Sequence, residues 1–215
     1  MKVERRLLGN VAVLGAGEFI AQIANFGFVV LIARAFGPGL LGHYSFSMAV
    51  SAIVSVFVSF GSMLLLIRNI GRNPYHGGEL LRTLFPVQIL LAIVAWIGIV
   101  SAGVLSQLSA IEVGLLATIA GYQILVRMSD ILLTEAKGRQ QMNLVAVVHA
   151  GTPILILCVA SLLIWLNYGP LATLSVMPFC ALIFAIYAAR AAVRLGGPIR
   201  PRWNASAFLS GLKET

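Results

Sequence analysis

The sequence predicts an all-α membrane protein, a polytopic bundle of six transmembrane helices with both termini on the cytoplasmic side. Of its 215 residues, 60% are hydrophobic and only 10% are charged, whereas soluble domains are typically about one quarter charged. The apolar residues fall in separate long runs, and the basic residues lie between those runs. Each run is long enough to cross the hydrocarbon core of a bilayer, which takes about 20 helical residues.

The predicted spans are separated by segments that break helices or are polar. Residues 34–42 contain Pro38 between glycines, which predicts a short turn after the first span. The polar segment 68–82 predicts a connection before the third span, and Pro86 is expected in the first turn of that span, where its missing N–H matters least. The six spans are predicted at about residues 7–33, 43–67, 84–105, 111–133, 144–166 and 171–193.

The remaining connections are short, and the chain is predicted to form one transmembrane lobe over residues 1–197. Residues 134–143 are plainly polar, and residues 167–170 form a tight turn before the sixth span. Residues 198–215 place apolar side chains at helical spacing opposite polar ones, which is typical of a helix lying in the membrane interface. This segment is predicted to be a cytoplasmic interfacial tail or the start of a linker to a second lobe.

The positions of lysine and arginine predict the orientation, because positive residues are retained on the cytoplasmic side. With six spans and the N-terminus inside, Arg34 alone lies on the outer side and Arg127 falls within the fourth span. All the other basic residues lie on the inner side: Lys2, Arg5, Arg6, Arg68, Arg72, Arg82, Lys137, Arg139, Arg190, Arg194, Arg200, Arg202 and Lys213.

The net charge of +8 does not predict a nucleic-acid partner. The basic residues punctuate apolar runs and form no continuous patch or aromatic platform of the kind that binds nucleic acid. Anionic headgroups of the surrounding bilayer are the expected partner of these charges.

Polar side chains at membrane depth mark the first candidate site. Glu18 lies near the middle of the first span, and Gln22 and Asn25 follow at i+4 and i+7, so the three share one helix face. Such residues usually face a bundle interior or a water-filled cavity, because hydrocarbon is a costly environment for them. The stripe either lines a translocation route or hydrogen-bonds neighbouring helices.

Two further positions are candidates for contact with substrate. Arg127 and Asp130 are three residues apart in the fourth span and can pair on one face. They form either a self-neutralising pair or a phosphate site in which Arg127 binds and Asp130 orients it, since the planar guanidinium matches phosphate oxygens. Arg34 is either an outer-leaflet headgroup anchor or a second cation that attracts phosphate.

The sequence predicts no enzyme activity. No nucleophile elbow, zinc-protease motif or phosphate-binding loop occurs. His43, His76 and His149 fall in three different segments, and each is predicted to be an interfacial or loop residue rather than a ligand. We therefore expect no catalytic residues, no metal and no cofactor. An intramembrane enzyme acting on polyprenyl lipids would need acids or histidines grouped on one face.

The first hairpin carries a family resemblance. The chain resembles the polysaccharide and oligosaccharide flippases of the multidrug/oligosaccharidyl-lipid/polysaccharide exporter superfamily, whose hairpin often reads Ala-Arg-x-Leu-Gly-Pro and then Gly-x-Tyr-Ser-Phe. The polar connection after the fourth span also fits that family. The residues that carry the resemblance here are Ala33-Arg34-Ala35-Phe36-Gly37-Pro38 followed by Gly42-His43-Tyr44-Ser45-Phe46.

The resemblance implies a flippase of the bacterial inner membrane. Such proteins move undecaprenyl-pyrophosphate-linked saccharides across that membrane for O-antigen, capsule or exopolysaccharide assembly. They enclose a central cationic cavity between two lobes and work by alternating access. In this chain, the resemblance implies that Arg127 and Arg34 attract phosphate while Glu18, Gln22 and Asn25 line the route.

The resemblance covers the whole chain but only the first lobe of the family's architecture. The chain is therefore expected to pair with a second lobe or with a second copy of itself. A same-orientation dimer is permitted, because six spans return the chain to its starting side. The alternative is a truncated scaffold or remnant in the same pathway that does not transport.

Overall fold

The structure is a computed structural model that describes residues 2–59 and 74–196, with side chains described over 9–56 and 84–195. The described part is almost entirely helical, without strands, and five of its helices are long and apolar enough to cross a membrane. The all-α, membrane-spanning class predicted from composition is therefore confirmed. The helices are α1 (Lys2–Ser59), α2 (Pro74–Leu105), α3 (Ala110–Leu132), α4 (Thr134–Gly138), α5 (Met142–Trp165) and α6 (Pro170–Gly196).

Helix α1 is bent at Gly37 into a first arm, residues 2–36, and a second arm, residues 38–59. Gly37 has φ 81° and ψ 177°, a left-handed φ that glycine adopts without steric cost. The rings of Phe28 and Tyr44 lie 6.0 Å apart in edge geometry, although 16 residues of straight helix would separate their backbones by about 24 Å. The turn predicted over residues 34–42 is thus confined to one residue, because Pro38 suits the first turn of the next helical segment.

The contacts of the two arms show that they run in opposite directions. In the first arm, Gly17 faces Ala146 of α5, and Gly27, further along the arm, faces Leu157, further along α5. The first arm therefore runs in the same direction as α5. Along the second arm, His43 pairs with Glu112 and Ser55 with Arg127, so this arm runs in the direction of α3. Helices α3 and α5 also run in opposite directions. The start of α3 shares an apolar cluster with the end of α5, through Leu115 and Ala160, and the end of α3 shares another with the start of α5, through Leu132 and Val145.

Helix α2 begins at Pro74, earlier than the start near residue 84 that the polar segment predicted. Pro74 occupies the first helical position, where a missing N–H is harmless, so Pro86 lies inside the helix and not in its first turn. The glycines at 77 and 78 cost only about 1 kcal/mol each in a helix. The apolar part, Leu84–Leu105, coincides with the predicted third span.

Several predicted features lie outside the described residues. These are the end of the second span near residue 67, the first part of the predicted connection, residues 68–73, and the tail over residues 198–215. The polar connection 134–143 is described and contains the short helix α4.

The bundle has two chemically different ends. At one end, here called the basic end, the Asn10 amide donates to the backbone oxygen of Gln140 at 3.3 Å, next to Lys137 and Arg139. At the other, His43 Nδ1 lies 3.1 Å from Glu112 Oε1.

Two apolar clusters leave a gap between them. The larger cluster packs the half of the bundle toward Glu112 and includes Phe28, Ile32, Leu115 and Leu174. A second one closes the basic end around Val145, Val148 and Ala188. The candidate site lies between these clusters.

Candidate functional site

A cavity of about 160 Å³ lies between the first arm of α1 and helices α3, α5 and α6. We call it the polar pocket. Apolar residues such as Ala21, Val126 and Ala181 form part of its wall. The polar side chains that line it come from three helices and are Glu18, Gln22, Asn25, Tyr122, Ser129, Asp130, His149 and Thr152.

Four of the six candidate residues predicted from sequence meet at this pocket. The stripe of Glu18, Gln22 and Asn25 lines one wall, and Asp130 lines the wall opposite. The three stripe residues remain exposed although they lie in the middle of an apolar helix. Their i, i+4, i+7 spacing places them on one face, which here is directed toward the pocket.

His149 lies between the carboxylate of Glu18 on one wall of the pocket and the carboxylate of Asp130 on the other. Its Nδ1 contacts Glu18 Oε1, and its Nε2 lies 3.0 Å from Asp130 Oδ1. His149 is therefore not a loop residue, since it lies within α5 and contacts two carboxylates. A histidine inside an apolar run is itself unusual at membrane depth, and this signal could have identified it from sequence.

Asp130 is also surrounded by cations. Lys137 Nζ lies 3.7 Å from its Oδ1, and Arg127 Nη1 lies 3.9 Å from its Oδ2. Arg127 additionally donates from Nε to the buried Ser55 hydroxyl at 3.3 Å. Through these contacts Asp130 links α3 to α4, to α5 and to the second arm of α1. The i,i+3 proximity of Arg127 and Asp130 is thus present, but Arg127 does not line the pocket.

Arg34 lies far from this cluster. It is exposed near the Gly37 bend, and 16 helical residues place it about 24 Å from Glu18 along the first arm. The structure therefore does not bring Arg34 and the polar stripe into one site.

The pocket lining matches hydroxyl groups and water better than phosphate. Its ionisable residues are Glu18, Asp130, His149 and Tyr122, and carboxylates repel a phosphate anion. Carboxylate, amide and hydroxyl groups together can accept from and donate to sugar hydroxyls. Within the described side chains, no group of three or more histidine, cysteine, aspartate or glutamate residues could hold a metal ion.

The opposite face of α3 is of a different kind. It borders an apolar groove of about 490 Å³ between α2, α3 and α6. The polar group among its lining residues is the Trp96 indole, whose Nε1 donates to the Ala117 oxygen at 2.9 Å. The groove is lined by residues that include Ile89, Ile93, Trp96, Leu125, Met128 and Ile186.

Comparison with known proteins identifies the family. Curated proteins and solved structures give no match to the chain. The profile of the family described as "Polysaccharide biosynthesis protein" matches residues 7–211, nearly the whole length. The resemblance to polysaccharide flippases noted in the first hairpin is thereby confirmed, and the chain belongs to the polysaccharide biosynthesis protein family.

Proposed function

We propose that this protein is a lobe of a transporter that moves undecaprenyl-pyrophosphate-linked saccharides across the bacterial inner membrane. The family match and the apolar helices make it a membrane protein of polysaccharide biosynthesis with a flippase-like character. The substrate and the membrane are what we propose beyond that. Transport is a change of location and not of covalent structure, so no catalytic residue is assigned.

The observation that carries this proposal is the exposed polar stripe of Glu18, Gln22 and Asn25. These side chains lie at membrane depth yet are not covered by the rest of the described chain. Polar groups in that position avoid hydrocarbon and face water or protein. A face of this kind supports a route for a polar head group along the first arm.

Six crossings and cytoplasmic termini are part of the proposal. The apolar segment of α1 covers Gly9–Val56, 48 residues, which would be about 72 Å long if straight and thus more than twice the bilayer core. The bend at Gly37 divides it into two stretches that can each cross. The contact of Asn10 with Gln140 at the basic end fits the predicted cytoplasmic position of both segments.

The polar pocket is proposed to contact one portion of the saccharide. Its volume of about 160 Å³ is below the roughly 300–1,000 Å³ of typical small-molecule sites. The remainder of the head group would face a second lobe, either another chain or a second copy. Arg127 and Arg34 are proposed to attract the pyrophosphate from outside the pocket, because neither residue is among those that line it.

The test is an export assay in the native host, with the chromosomal gene replaced by variants. Gln22→Ala and Asn25→Ala are expected to lower surface polysaccharide more than tenfold while the amount of protein in the membrane stays constant. The matched controls are Ile23→Ala and Phe26→Ala, which remove exposed apolar side chains from the same helix. We expect these controls to export normally.

Arg127→Ala belongs in the same assay. Loss of export at constant protein level would support a role with phosphate, whereas parallel loss of protein would assign Arg127 to the structural contact with Ser55 and Asp130. Normal export by all the polar-stripe variants, with binding to pathway partners retained, would contradict transport and favour the non-transporting scaffold.

A further inference from the structure

The apolar groove between α2, α3 and α6 is as long as one leaflet of a bilayer is deep. Its lining begins on α3 at Gly121 and ends at Leu132, and on α2 it begins at Phe85 and ends at Trp96. Each of these stretches rises by about 16 Å at 1.5 Å per residue. Half of a hydrocarbon core about 30 Å thick is about 15 Å. The groove therefore has the length of a chain that belongs to one leaflet.

The two ends of the groove are of different kinds. Trp96 lies near the middle of the apolar segment Leu84–Leu105, so this end of the groove is near the centre of the bilayer. The Trp96 indole is fixed there by its hydrogen bond to the Ala117 oxygen. The other end, at Phe85 and Leu132, lies toward the basic end of the bundle, where α3 is followed by α4.

Arg190 lies at this second end. It follows the lining residue Ile186 by four positions on α6, so the two share one helix face and Arg190 is one turn closer to the basic end. Arg190 is exposed and forms no ion pair with another residue of the described part of the chain. A long basic side chain in this position keeps its stem on apolar surface and extends its charge to the headgroup level.

We propose that the groove binds one anionic phospholipid of the bilayer, with an acyl chain in the groove and the headgroup at Arg190. All the lining residues are apolar, which matches an acyl chain, and the guanidinium complements a negative headgroup. The Trp96 ring marks the depth that the end of the chain reaches. The bound lipid would fill the space between α2 and α6 and so complete the packing of α2 on the bundle.

The width of the groove favours a hydrocarbon chain over a protein helix. A volume of about 490 Å³ spread over about 16 Å gives a cross-section of roughly 30 Å², or about 6 Å across. Hydrocarbon groups pack at about 3.5–4.0 Å from their neighbours, whereas a helix with its side chains is about 10–12 Å across. One chain therefore fits within the groove, and a helix does not.

The position of the groove distinguishes this lipid from a transported one. The groove and the polar pocket lie at the same depth on different faces of α3, since Met128 lines the groove and Ser129 lines the pocket. A lipid with its head group at the pocket would have to pass around α3 to place its chain in the groove. The bound phospholipid is thus a separate molecule, and this inference does not depend on the proposed function.

The test uses the fluorescence of Trp96, which bromine atoms on a lipid chain quench on contact. Trp165 and Trp203 are replaced by phenylalanine, and the protein is placed in nanodiscs of phosphatidylcholine that contain a small fraction of lipid with brominated acyl chains. Brominated phosphatidylglycerol is expected to quench Trp96 about fivefold more effectively than brominated phosphatidylcholine at the same fraction. This ratio corresponds to about 1 kcal/mol for one basic residue beside an anionic headgroup.

Arg190→Gln is expected to remove the preference and reduce quenching by phosphatidylglycerol to the level of phosphatidylcholine. The matched control is Arg34→Gln, an exposed arginine at the opposite end of the bundle, which should keep the preference. Ala189→Phe adds a ring to the groove lining and is expected to lower quenching by both lipids. A protein that retains only Trp165, which is 76% exposed at the end of α5, should be quenched equally by the two lipids.

Equal quenching of Trp96 by the two lipids would overturn the proposal and leave the groove as ordinary lipid-facing surface. Absence of quenching by either lipid would also overturn it and assign the groove to a protein segment, from a second lobe or a second copy. A preference that persists in Arg190→Gln would overturn the placement of the headgroup. None of these results bears on the polar stripe, so the export assay remains a separate test of the proposed function.

Discussion

The two faces of α3 lie in the same membrane helix and border cavities of opposite character. Tyr122, Val126, Ser129 and Asp130 border the polar pocket. The other face of α3 borders the apolar groove. The residues of α3 that line the groove are Gly121, Ile124, Leu125, Met128 and Leu132. Hydropathy averaged along α3 hides this division, so the chemistry of the helix is set by which neighbour each face meets.

The difference also explains how a charged residue is tolerated at this depth. An aspartate in a membrane helix costs up to about 2.5–3.5 kcal/mol by insertion scales, the upper figure applying at the helix centre. Asp130 offsets that cost with Arg127, Lys137 and His149 within 4 Å. The groove-facing side has no such partners among its lining residues, and it remains apolar.

The largest expected effect on stability comes from substituting asparagine on each of the two faces of α3 in turn. Met128, 8% exposed, packs with Ala92 and Ile131 beside the groove. We expect Met128→Asn to destabilise the protein by about 2–4 kcal/mol, since it buries an unpaired amide and leaves a cavity. Val126→Asn adds the amide beside the polar pocket, where partners are available, and should cost about 1 kcal/mol or less.

The measurement is the fraction of monodisperse protein that survives heating in detergent. Equal losses for the two variants would mean that the faces of α3 do not differ energetically, and a greater loss for Val126→Asn would reverse their assignment.

The second expected effect concerns the contact between α1 and α5 at the pocket. Gly17→Leu introduces atoms where even a Cβ would meet Ala146 at 3.0 Å. Overpacking of this kind typically costs about 1–3 kcal/mol, and it should displace Glu18 from His149 without altering either residue. Gly15→Leu is the matched control, because nothing lies within 4 Å of a Cβ at Gly15.

Gly17→Leu should lower both thermal survival and export, whereas Gly15→Leu should change neither. A neutral result at Gly17 would show that the first arm can move away from α5 freely, and the contact of Glu18 with His149 would then contribute little to its packing.

The sequence was sufficient for the fold class but not for all the boundaries. Apolar runs of about 20 residues leave few alternatives to membrane helices, and Gly37-Pro38 placed the bend correctly. The extent of that bend was overestimated, because one left-handed glycine followed by a proline replaces a longer loop. The start of α2 was placed too late, because polarity was taken as an interruption although Glu79, Leu80 and Leu81 favour helix.

The sequence predicted which site residues share a face of one helix, but not which residues of different helices meet. The face shared by Glu18, Gln22 and Asn25 follows from helical periodicity alone. His149 lies 131 residues from Glu18 along the chain, and no local pattern relates them. Arg127 and Asp130 were correctly placed near each other by their spacing, but the attachment of Arg127 to Ser55 depends on the second arm, 72 residues away.

The smallest expected effect concerns the hydrogen bond between Trp96 of α2 and Ala117 of α3, beside the apolar groove. Trp96 is 39% exposed, and its indole donates to the Ala117 oxygen of α3 at 2.9 Å. Trp96→Phe removes this bond while keeping an aromatic ring, and a single hydrogen bond typically contributes about 0.5–1.5 kcal/mol. The control is Trp165→Phe at the exposed end of α5, which should be neutral in thermal survival.

Because Ala117 already accepts within its own helix, its oxygen does not become unsatisfied when the indole is lost, and the effect should stay near the lower bound. A loss as large as that of Met128→Asn would mean that α2 is held to α3 by this polar contact and not by the apolar surface of the groove. The groove-facing side of α3 would then depend on a polar interaction just as the pocket-facing side does.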